Sequence, residues 1–425
     1  MHSGAAAPDG DPQPGGTFHG VLHASPWEWE ASFSAQAPRR PSLAALLRRR
    51  KPPLPGPLHV WARCVGHTLR AYYFPDPLID VEHAWLPRGS SAAISLVNVA
   101  RLTLSVLEGA AGPPKTTLGA AGERWGQPVR SQGSLLTVRL HRNASAVVLG
   151  VPGWVRTLTF DARRYCLPRP ERLDARGSER LLFHTYMFDT PVAPVLDLLA
   201  FNARWHAERY SSVHVVQVHS TQEALLAAHA GVAAAVAAGA LRVEVKPDYL
   251  PQLEGWPMYW HAVAENVALL RAWGTRATLL FLDPDEFLVT APPPDGRGPG
   301  QSLRRAVARH GAVVLARAVF SCPRCGAAGA NTSAEFDTRL RDARIAEQYG
   351  TVVAAADAQV PPLVYEHFAD PPPVAVNTSD ALVAHVRNAL GRSLELSAEA
   401  AAAPPVALDA AWSAAAAWLR PQQIA

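Results

Sequence analysis

The chain lacks the features of a nucleic-acid-binding protein. Only three of its 425 residues are lysine (Lys51, Lys115 and Lys246), so the net charge of +4 depends almost wholly on scattered arginines. No basic patch interleaved with aromatic side chains is present, and the basic cluster Arg48–Lys51 is typical of a solvated linker. We therefore expect no nucleic acid among the partners.

Long apolar runs are also missing. No stretch reaches the roughly 18 consecutive apolar residues of a transmembrane helix, and Met1–Gly16 has no apolar core of the kind found in signal peptides. Three Asn-x-Ser/Thr triplets, at Asn143, Asn331 and Asn377, nevertheless indicate N-glycosylation in a lumen. We expect a Golgi or other secretory-pathway location, with a membrane anchor that this sequence does not contain.

Cysteine is scarce, with only Cys64, Cys166, Cys322 and Cys325 in the chain. The C-x-x-C spacing of the last two is compatible with zinc binding or redox chemistry. Zinc would require the first two to converge on that pair from a separate segment. A local Cys322–Cys325 disulfide in an oxidising lumen, or two inert thiols, is favoured instead.

The residue pattern divides the chain into four parts. Residues 1–55 are rich in proline and glycine and are predicted to be disordered. Residues 56–166 contain short alternating runs separated by turn residues, which predicts a smaller β-rich accessory domain. In residues 178–392 strands alternate with helices, which predicts an α/β fold with a mostly parallel sheet and flanking helices. Residues 393–425 form an Ala/Pro-rich tail.

Within the α/β part, individual elements can be predicted from apolar periodicity. Strands are predicted at Leu181–Tyr186, Val213–Val218, Leu241–Val245, Thr278–Leu282 and Ala312–Phe320, and helices at Val195–Tyr210, Gln222–Gly239 and Met258–Trp273. No glycine-rich phosphate loop follows the first strand, which argues against Rossmann cofactor binding and P-loop chemistry.

The run Thr278–Leu288 is the most informative segment. An apolar strand leads directly into Asp283, Asp285 and Glu286, with Pro284 between the two aspartates. In extended backbone, residues i and i+2 share a face, so both aspartates can point into one pocket at the end of a strand, where open α/β sheets bind ligands. Two hard oxygen ligands suit Mg²⁺ or Mn²⁺ carrying a diphosphate. A strand-to-turn junction with solvated acids is the alternative.

These residues resemble glycosyltransferase family 92, which has the GT-A fold. The helix Trp260–Asn266, the strand after it and the block Asp283–Leu288 are similar to the family's helix, apolar strand and D-x-D-E-F signature. Downstream, Tyr365–Phe368 resembles its C-terminal histidine after a short strand. Leu382–Arg387 is similar to its closing His-Tyr-Arg element, with Val386 in place of tyrosine. The resemblance covers roughly residues 181–390.

The resemblance implies a GT-A-like domain that transfers a sugar, typically galactose, with inversion from a UDP-sugar to a glycan or glycoprotein acceptor. Asp285 would ligate Mn²⁺ or Mg²⁺, and Asp283 the metal or the donor ribose, with His367 as a further candidate ligand. The metal would neutralise the charge that develops on the departing diphosphate.

Other roles are less sharply defined. Inversion needs a carboxylate as general base, and Glu335 and Asp337 are the candidates. His261 and Asn266 precede the metal-binding strand and are expected to face the donor. His367 has an ordinary core histidine as its alternative, and for His385 the alternative is a residue that caps a helix or faces solvent from it.

Two other classes of function stay open at this point. A catalytically inactive glycan-binding or scaffolding protein would use the same fold. A metal-dependent hydrolase or nucleotidyltransferase would use Asp283 and Asp285. Such enzymes usually need further acids or a His-x-Asp cluster, and the sequence shows neither pattern.

Overall fold

The chain contains two compact units, within Ser25–Leu173 and Asp174–Ala425. The computed structural model describes residues 29–33, 58–75, 104–118, 122–124, 127–129, 133–150, 157–167, 181–188, 192, 195, 211–218, 223–246, 258–275, 277–290, 301–321, 344–358, 361–365, 368–370, 373–376 and 381–387. The predicted tail and nearly all of the predicted helix at Val195–Tyr210 lie outside these residues.

The described part of the first unit is built mainly from strands. They are β1 (Trp29–Phe33), β2 (Leu58–Val65), β3 (Thr68–Pro75), β4 (Ser105–Glu108), β5 (Lys115–Leu118), β6 (Gly122–Arg124), β7 (Gln127–Val129), β8 (Ser134–Arg139), β9 (Ala146–Gly150), β10 (Thr157–Asp161) and β11 (Cys166–Leu167), with the short helix α1 (Ala162–Tyr165). One sheet has the order β1-β2-β3-β8-β5 with β11 beside β2, a second has the order β10-β9-β4, and β6 pairs with β7.

Alternating side chains build the core of this unit. In β10, Leu158 and Phe160 are buried while the residues between them are exposed, as expected of a strand with one face in the core. These two side chains pack in one apolar cluster with residues of the larger sheet, including Val60 and Leu136. The prediction of a disordered segment over residues 1–55 is wrong at Trp29–Phe33, because these residues form β1 and pair antiparallel with β2.

A disulfide joins two strands of the larger sheet. Cys64 of β2 and Cys166 of β11 lie opposite each other in parallel register, with their Cα atoms 4.4 Å apart. Because both sulfurs are bonded to each other, a zinc site that recruits this pair is excluded. Cys322 and Cys325 lie outside the described residues.

The described part of the second unit contains both strands and helices. The strands are β12 (Leu181–Phe188), β13 (Ser211–Val218), β14 (Leu241–Lys246), β15 (Thr278–Leu282), β16 (Glu286–Thr290), β17 (Ala312–Ser321), β18 (Arg344–Ala355), β19 (Leu363–Tyr365), β20 (Phe368–Asp370), β21 (Val374–Ala375) and β22 (Ala381–Arg387). The helices are α2 (Glu223–Ala228), α3 (Ala230–Ala237), α4 (Met258–Ala272) and α5 (Gln301–His310).

Apart from the helix predicted at Val195–Tyr210, which lies almost wholly outside the described residues, the predicted elements at the start of this unit are present with small differences. The five predicted strands correspond to β12, β13, β14, β15 and β17. The predicted helix Gln222–Gly239 is two helices, because the backbone of His229 is extended and its ring accepts a hydrogen bond from Gly231 N as the cap of α3. Asn, Asp and Ser are the usual N-caps, and histidine is not among them. Apolar periodicity therefore gave no sign of a helix start at His229.

The main sheet is mixed rather than simply parallel. Its order is β14-β13-β12-β15-β18-β17-β22-β16, with β21 beside β17. The first four strands are parallel, as predicted, whereas β18 is antiparallel to both of its neighbours and β16 is antiparallel to β22. The prediction of a mostly parallel sheet therefore has to be corrected to a mixed, strand-rich α/β fold. Thr351–Ala354 of β18 are fully buried, and a buried apolar run does not reveal strand direction.

Helices cover both faces of the sheet. Apolar residues of α2, α3 and α5 pack on one face with Phe183 of β12, and those of α4 pack on the other with Phe281 of β15. The strand order reverses between β12 and β15, since β13 and β14 follow on one side of β12 and β15 lies on the other. In open α/β sheets, ligands bind beyond the carboxyl ends of the strands at such a reversal. Within the described part of the chain, no helix has the length and apolar character needed to cross a membrane.

Candidate functional site

The acidic residues lie in a tight turn between two buried strands. All five residues of β15 are buried, and the chain turns at residues 283–285 before it enters β16. Glu286 N donates to the Asp283 carbonyl oxygen at 3.0 Å, and Asp283 N donates to Glu286 Oε2 at 2.9 Å. The aspartates thus belong to a closed turn at the carboxyl end of β15, not to extended backbone as the i, i+2 argument assumed.

Arg317 links two of the three carboxylates. Its Nη2 lies 3.5 Å from Asp283 Oδ2 and also forms a close ion pair with Glu286 Oε1. The Glu286 side chain is buried, and Thr351 Oγ1 donates to its Oε2 at 3.4 Å. Burial raises the pKa of Glu286 to about 7, although the Arg317 charge acts in the opposite direction.

His385 is the partner of the third carboxylate. It lies on β22 opposite Glu286 of β16, and its Nε2 is 3.3 Å from Asp285 Oδ2. Burial lowers the pKa of His385, but the hydrogen bond and charge of Asp285 outweigh it, so the pKa is above its ordinary value. Its Nδ1 has no hydrogen-bond partner among the described residues. The expectation that His385 belongs to a helix is wrong.

Neighbouring strands bring Arg317 and His385 together. Val319 of β17 pairs with His385 in parallel register, and Arg317 is two residues before Val319 on the same strand. Residues two apart share a face of a sheet, so the Arg317 and His385 side chains both project on the side where the turn lies. Four strands, β15, β16, β17 and β22, therefore contribute to one cluster of charged side chains.

The possible metal ligands in this cluster, carboxylate oxygens and an imidazole nitrogen, suit a divalent cation in type and spacing. Two ligands in adjacent positions of an octahedral ion with bonds of about 2.1 Å are about 3.0 Å apart. The 3.3 Å between Asp285 Oδ2 and His385 Nε2 is close to that spacing. Among the described residues, however, no three His, Cys, Asp or Glu side chains are already arranged as a metal site.

The other predicted site residues are distributed differently. Asn266 is buried in α4, where its Nδ2 donates to the Val364 carbonyl at 2.7 Å and its Oδ1 accepts from Val364 N at 3.0 Å. Because both ends of its amide bind backbone, the expectation that it faces the donor is wrong. His261 is partly buried, stacks on Tyr186 and lies 3.1 Å from Glu265 Oε1. Glu335, Asp337 and His367 lie outside the described residues.

Sequence reasoning missed Arg317 and Thr351. Arg317 interrupts the apolar run of β17, and an arginine inside a buried strand is a recognisable signal, because buried charges need partners. Thr351 gave no such signal, since threonine is common in strands.

A second buried polar cluster lies under α4. His184 of β12 and His214 of β13 are in register, with their Nδ1 atoms 3.1 Å apart. His214 Nε2 lies 3.3 Å from Glu244 Oε1, which also pairs with Arg242 at 2.8 Å and closely with Arg271 of α4. Burial lowers the pKa of both histidines. Burial acts to raise the pKa of Glu244, but Arg271 and the other cations hold it well below its ordinary value.

Comparisons with solved structures find weak structural neighbours. No family model and no curated protein matches the chain. A crystal structure of S. aureus TarS matches with 19% identity and a TM-score of 0.23, covering 34% of this chain and 22% of that chain. A structure of TarS 1-349 matches with 18% identity and a TM-score of 0.22, covering 34% of this chain and 36% of that chain. Similarity of this size does not establish a shared fold, and the resemblance to glycosyltransferase family 92 gains no support from it.

Proposed function

We propose that the chain is a metal-dependent inverting glycosyltransferase that moves a sugar, with galactose as the first candidate, from a UDP-sugar to a glycan or glycoprotein acceptor. The observation that carries this proposal is the position of the acidic turn. Asp283 directly follows β15, beside the reversal of strand order, where nucleotides bind in open α/β sheets. The choice of donor and the stereochemistry come from the resemblance of Asp283–Leu288 to family 92.

The proposed metal ligands are Asp285, Asp283 and a histidine. His385 is supported by its contact with Asp285, and His367 remains the candidate from the resemblance. Carboxylate oxygens and imidazole together suit Mn²⁺, and carboxylates alone suit Mg²⁺. The bound ion would supply positive charge against the diphosphate leaving group.

The protein's own residues would prepare this site. Arg317 and Glu286 hold the turn that carries the aspartates, and Arg317 also shares the negative charge of Asp283. Glu335 and Asp337 remain the proposed candidates for the general base that deprotonates the acceptor hydroxyl. His261 remains the proposed donor contact on α4.

A secretory-pathway location, most simply the Golgi, forms part of the proposal. The Cys64–Cys166 disulfide supports it, because disulfides persist in oxidising compartments. The three glycosylation triplets support it independently. The proposal includes a membrane anchor and no nucleic-acid partner.

The test is a panel of UDP- and GDP-sugars offered to the full-length protein with and without Mn²⁺. We expect turnover of one UDP-sugar that stops when EDTA is added and returns when Mn²⁺ is restored. Turnover that is indifferent to EDTA would contradict the role of the metal, and a preference for GDP-sugars would contradict the donor class.

A catalytically inactive glycan-binding protein is the second candidate. It is favoured by one observation, namely that Asp283 and Asp285 each already have a side-chain partner, Arg317 and His385 respectively. Calorimetry with UDP and Mn²⁺ separates the two functions. An enzyme would bind UDP more tightly when Mn²⁺ is present, whereas the inactive protein would bind glycans and show no coupling between UDP and the ion.

A further inference from the structure

An exposed turn in the first unit carries one of the three glycosylation triplets. Residues 141–145 connect the segment after β8 to β9, and Ala144 N donates to the His141 carbonyl at 3.0 Å, which closes a β-turn. Asn143, the third residue of that turn, is exposed, and so is Ser145. The residue between them is alanine, and proline is the one residue that the triplet does not allow there.

The backbone of this turn is fixed while the acceptor residues stay exposed. The Ser145 carbonyl accepts hydrogen bonds from Ala162 N at 2.9 Å and from Arg163 N at 3.4 Å, at the start of α1. These bonds use main-chain atoms only, so they do not require the Asn143 amide or the Ser145 hydroxyl. A bulky substituent on Asn143 would extend into solvent without disturbing the core.

The disulfide of the same unit is an independent indication of the compartment. Asn143 lies inside the loop that the Cys64–Cys166 bridge closes, a loop with a sequence separation of 102. Because Asn143 precedes Cys166 in the chain, a chain that enters an oxidising lumen N-terminus first would present the triplet before this bridge can form. The triplet is thus accessible before folding is complete, and Asn143 remains exposed afterwards.

We propose that Asn143 carries an N-linked glycan. The co-reactant is an oligosaccharide on a polyprenyl diphosphate. A bond forms between Asn143 Nδ2 and the anomeric carbon of the first sugar, and the bond from that carbon to the diphosphate oxygen breaks. The diphosphate leaves with the electron pair, and the amide nitrogen loses one proton, so no oxidant or reductant is needed. The modification depends on the proposed location but not on the proposed transferase activity.

The test uses full-length protein isolated from its own cells. Peptide N-glycosidase in heavy-oxygen water converts a glycosylated asparagine to labelled aspartate, and trypsin releases the peptide from Asn143 to Arg156. We expect this peptide to appear labelled, and only after glycosidase treatment. Its recovery in unmodified form, in full yield and without treatment, would overturn the proposal whether or not Cys64 and Cys166 are found bridged.

Variants separate the triplet from the fold. Asn143→Gln and Ser145→Ala should each remove one glycan, measured as one step in gel mobility, whereas Ser145→Thr should keep it. Retention of the glycan in Asn143→Gln would assign it to Asn331 or Asn377 instead. Because sugar transfer is assayed separately with the UDP-sugar panel, a missing glycan together with intact turnover would contradict only the modification.

Discussion

Glu286 is the buried carboxylate of the acidic turn and is bonded from several sides. Its carboxylate accepts hydrogen bonds from Asp283 N and Thr351 Oγ1 and pairs with Arg317, all while the side chain is buried. The aspartates are more exposed, as ligands for an incoming ion must be. In this motif the glutamate therefore holds the turn, and under the proposed function the aspartates bind the ion.

Replacing Glu286 should destabilise the protein. Glu286→Ala removes both hydrogen bonds and leaves buried Arg317 with one carboxylate fewer, which should cost about 3 kcal/mol. Glu286→Gln should cost less, because its amide oxygen can still accept from Asp283 N. Urea unfolding measures both, with the exposed Glu108→Gln as control at less than about 0.5 kcal/mol. Equal midpoints for Glu286→Ala and the control would show that the cluster contributes nothing to stability.

Replacing Asp285 should affect activity rather than folding. Asp285→Ala removes the carboxylate that His385 faces, and its side chain is only partly buried, with 16% exposed. We expect loss of Mn²⁺-dependent UDP-sugar turnover with the unfolding midpoint nearly unchanged. Asp357→Asn, which changes an exposed aspartate that accepts from Gly274 N, is the matched control. Undiminished turnover in the Asp285 variant would refute the assignment.

Among the strands and helices, α4 and β19 are linked by apolar packing and by the Asn266 side chain. Asn266 binds both the N–H and the carbonyl of Val364, so it replaces two backbone hydrogen bonds that a sheet neighbour would otherwise supply. The amide thereby fixes β19 against the helix. The prediction that Asn266 faces the sugar donor used only its position on a helix near the acidic segment. The distant contact with Val364 has no trace in the local sequence.

Loss of the Asn266 amide should be costly. Asn266→Ala leaves a buried N–H and a buried carbonyl of Val364 without these bonds, which should destabilise the protein by about 2–4 kcal/mol. Chemical denaturation measures the change, with Arg305→Ala at an exposed position of α5 as the control. A cost below about 0.5 kcal/mol would mean that water replaces the amide and that the contact is not structural.

The paired histidines on β12 and β13 should make stability depend on pH. His184 and His214 have lowered pKa values in the folded protein, so the unfolded chain binds more protons below pH of about 6.5. Their contribution to stability is therefore fully present above that pH and decreases as the pH falls, by up to about 1.4 kcal/mol per pH unit for each histidine.

Unfolding free energies measured between pH 7 and 5 check this expectation. His184→Asn should reduce the slope of stability against pH, even if it lowers stability at every pH. His310→Gln, at the exposed end of α5, serves as the comparison. An unchanged slope in His184→Asn would contradict the assignment of the pH dependence to this pair.

For the full chain, sequence patterns predicted the local elements and missed the distant contacts. The strands β12, β13, β14 and β15 were predictable because apolar runs of strand length alternate with helical periodicity. The pairing of β22 with β17, and the direction of β18, depend on residues far apart in the chain and leave no periodic trace. For the same reason Asp283 and Asp285 were found from their neighbours in sequence, whereas Arg317 was not.

The Cys64–Cys166 disulfide should stabilise the first unit strongly. Closing a loop of about 100 residues restricts the unfolded chain by about 4–5 kcal/mol in the entropic description. The double variant Cys64→Ser, Cys166→Ser should therefore lower the transition of that unit in calorimetry. Cys322→Ser, Cys325→Ser is the control for loss of two cysteines. An identical thermogram with and without reductant would argue that the bridge does not form.

The pairing of β16 with β22 also bears on how the protein reaches its native state. Glu286 leaves the ribosome about 100 residues before its partner His385 does, so the groups of β16 that bond to β22 stay unpaired until β22 has been synthesised. Pairings of this separation slow folding, and a waiting strand edge is a template for aggregation. Chaperones that shield such edges are therefore expected to affect the yield of folded protein more than the strength of the β16–β22 pairing does.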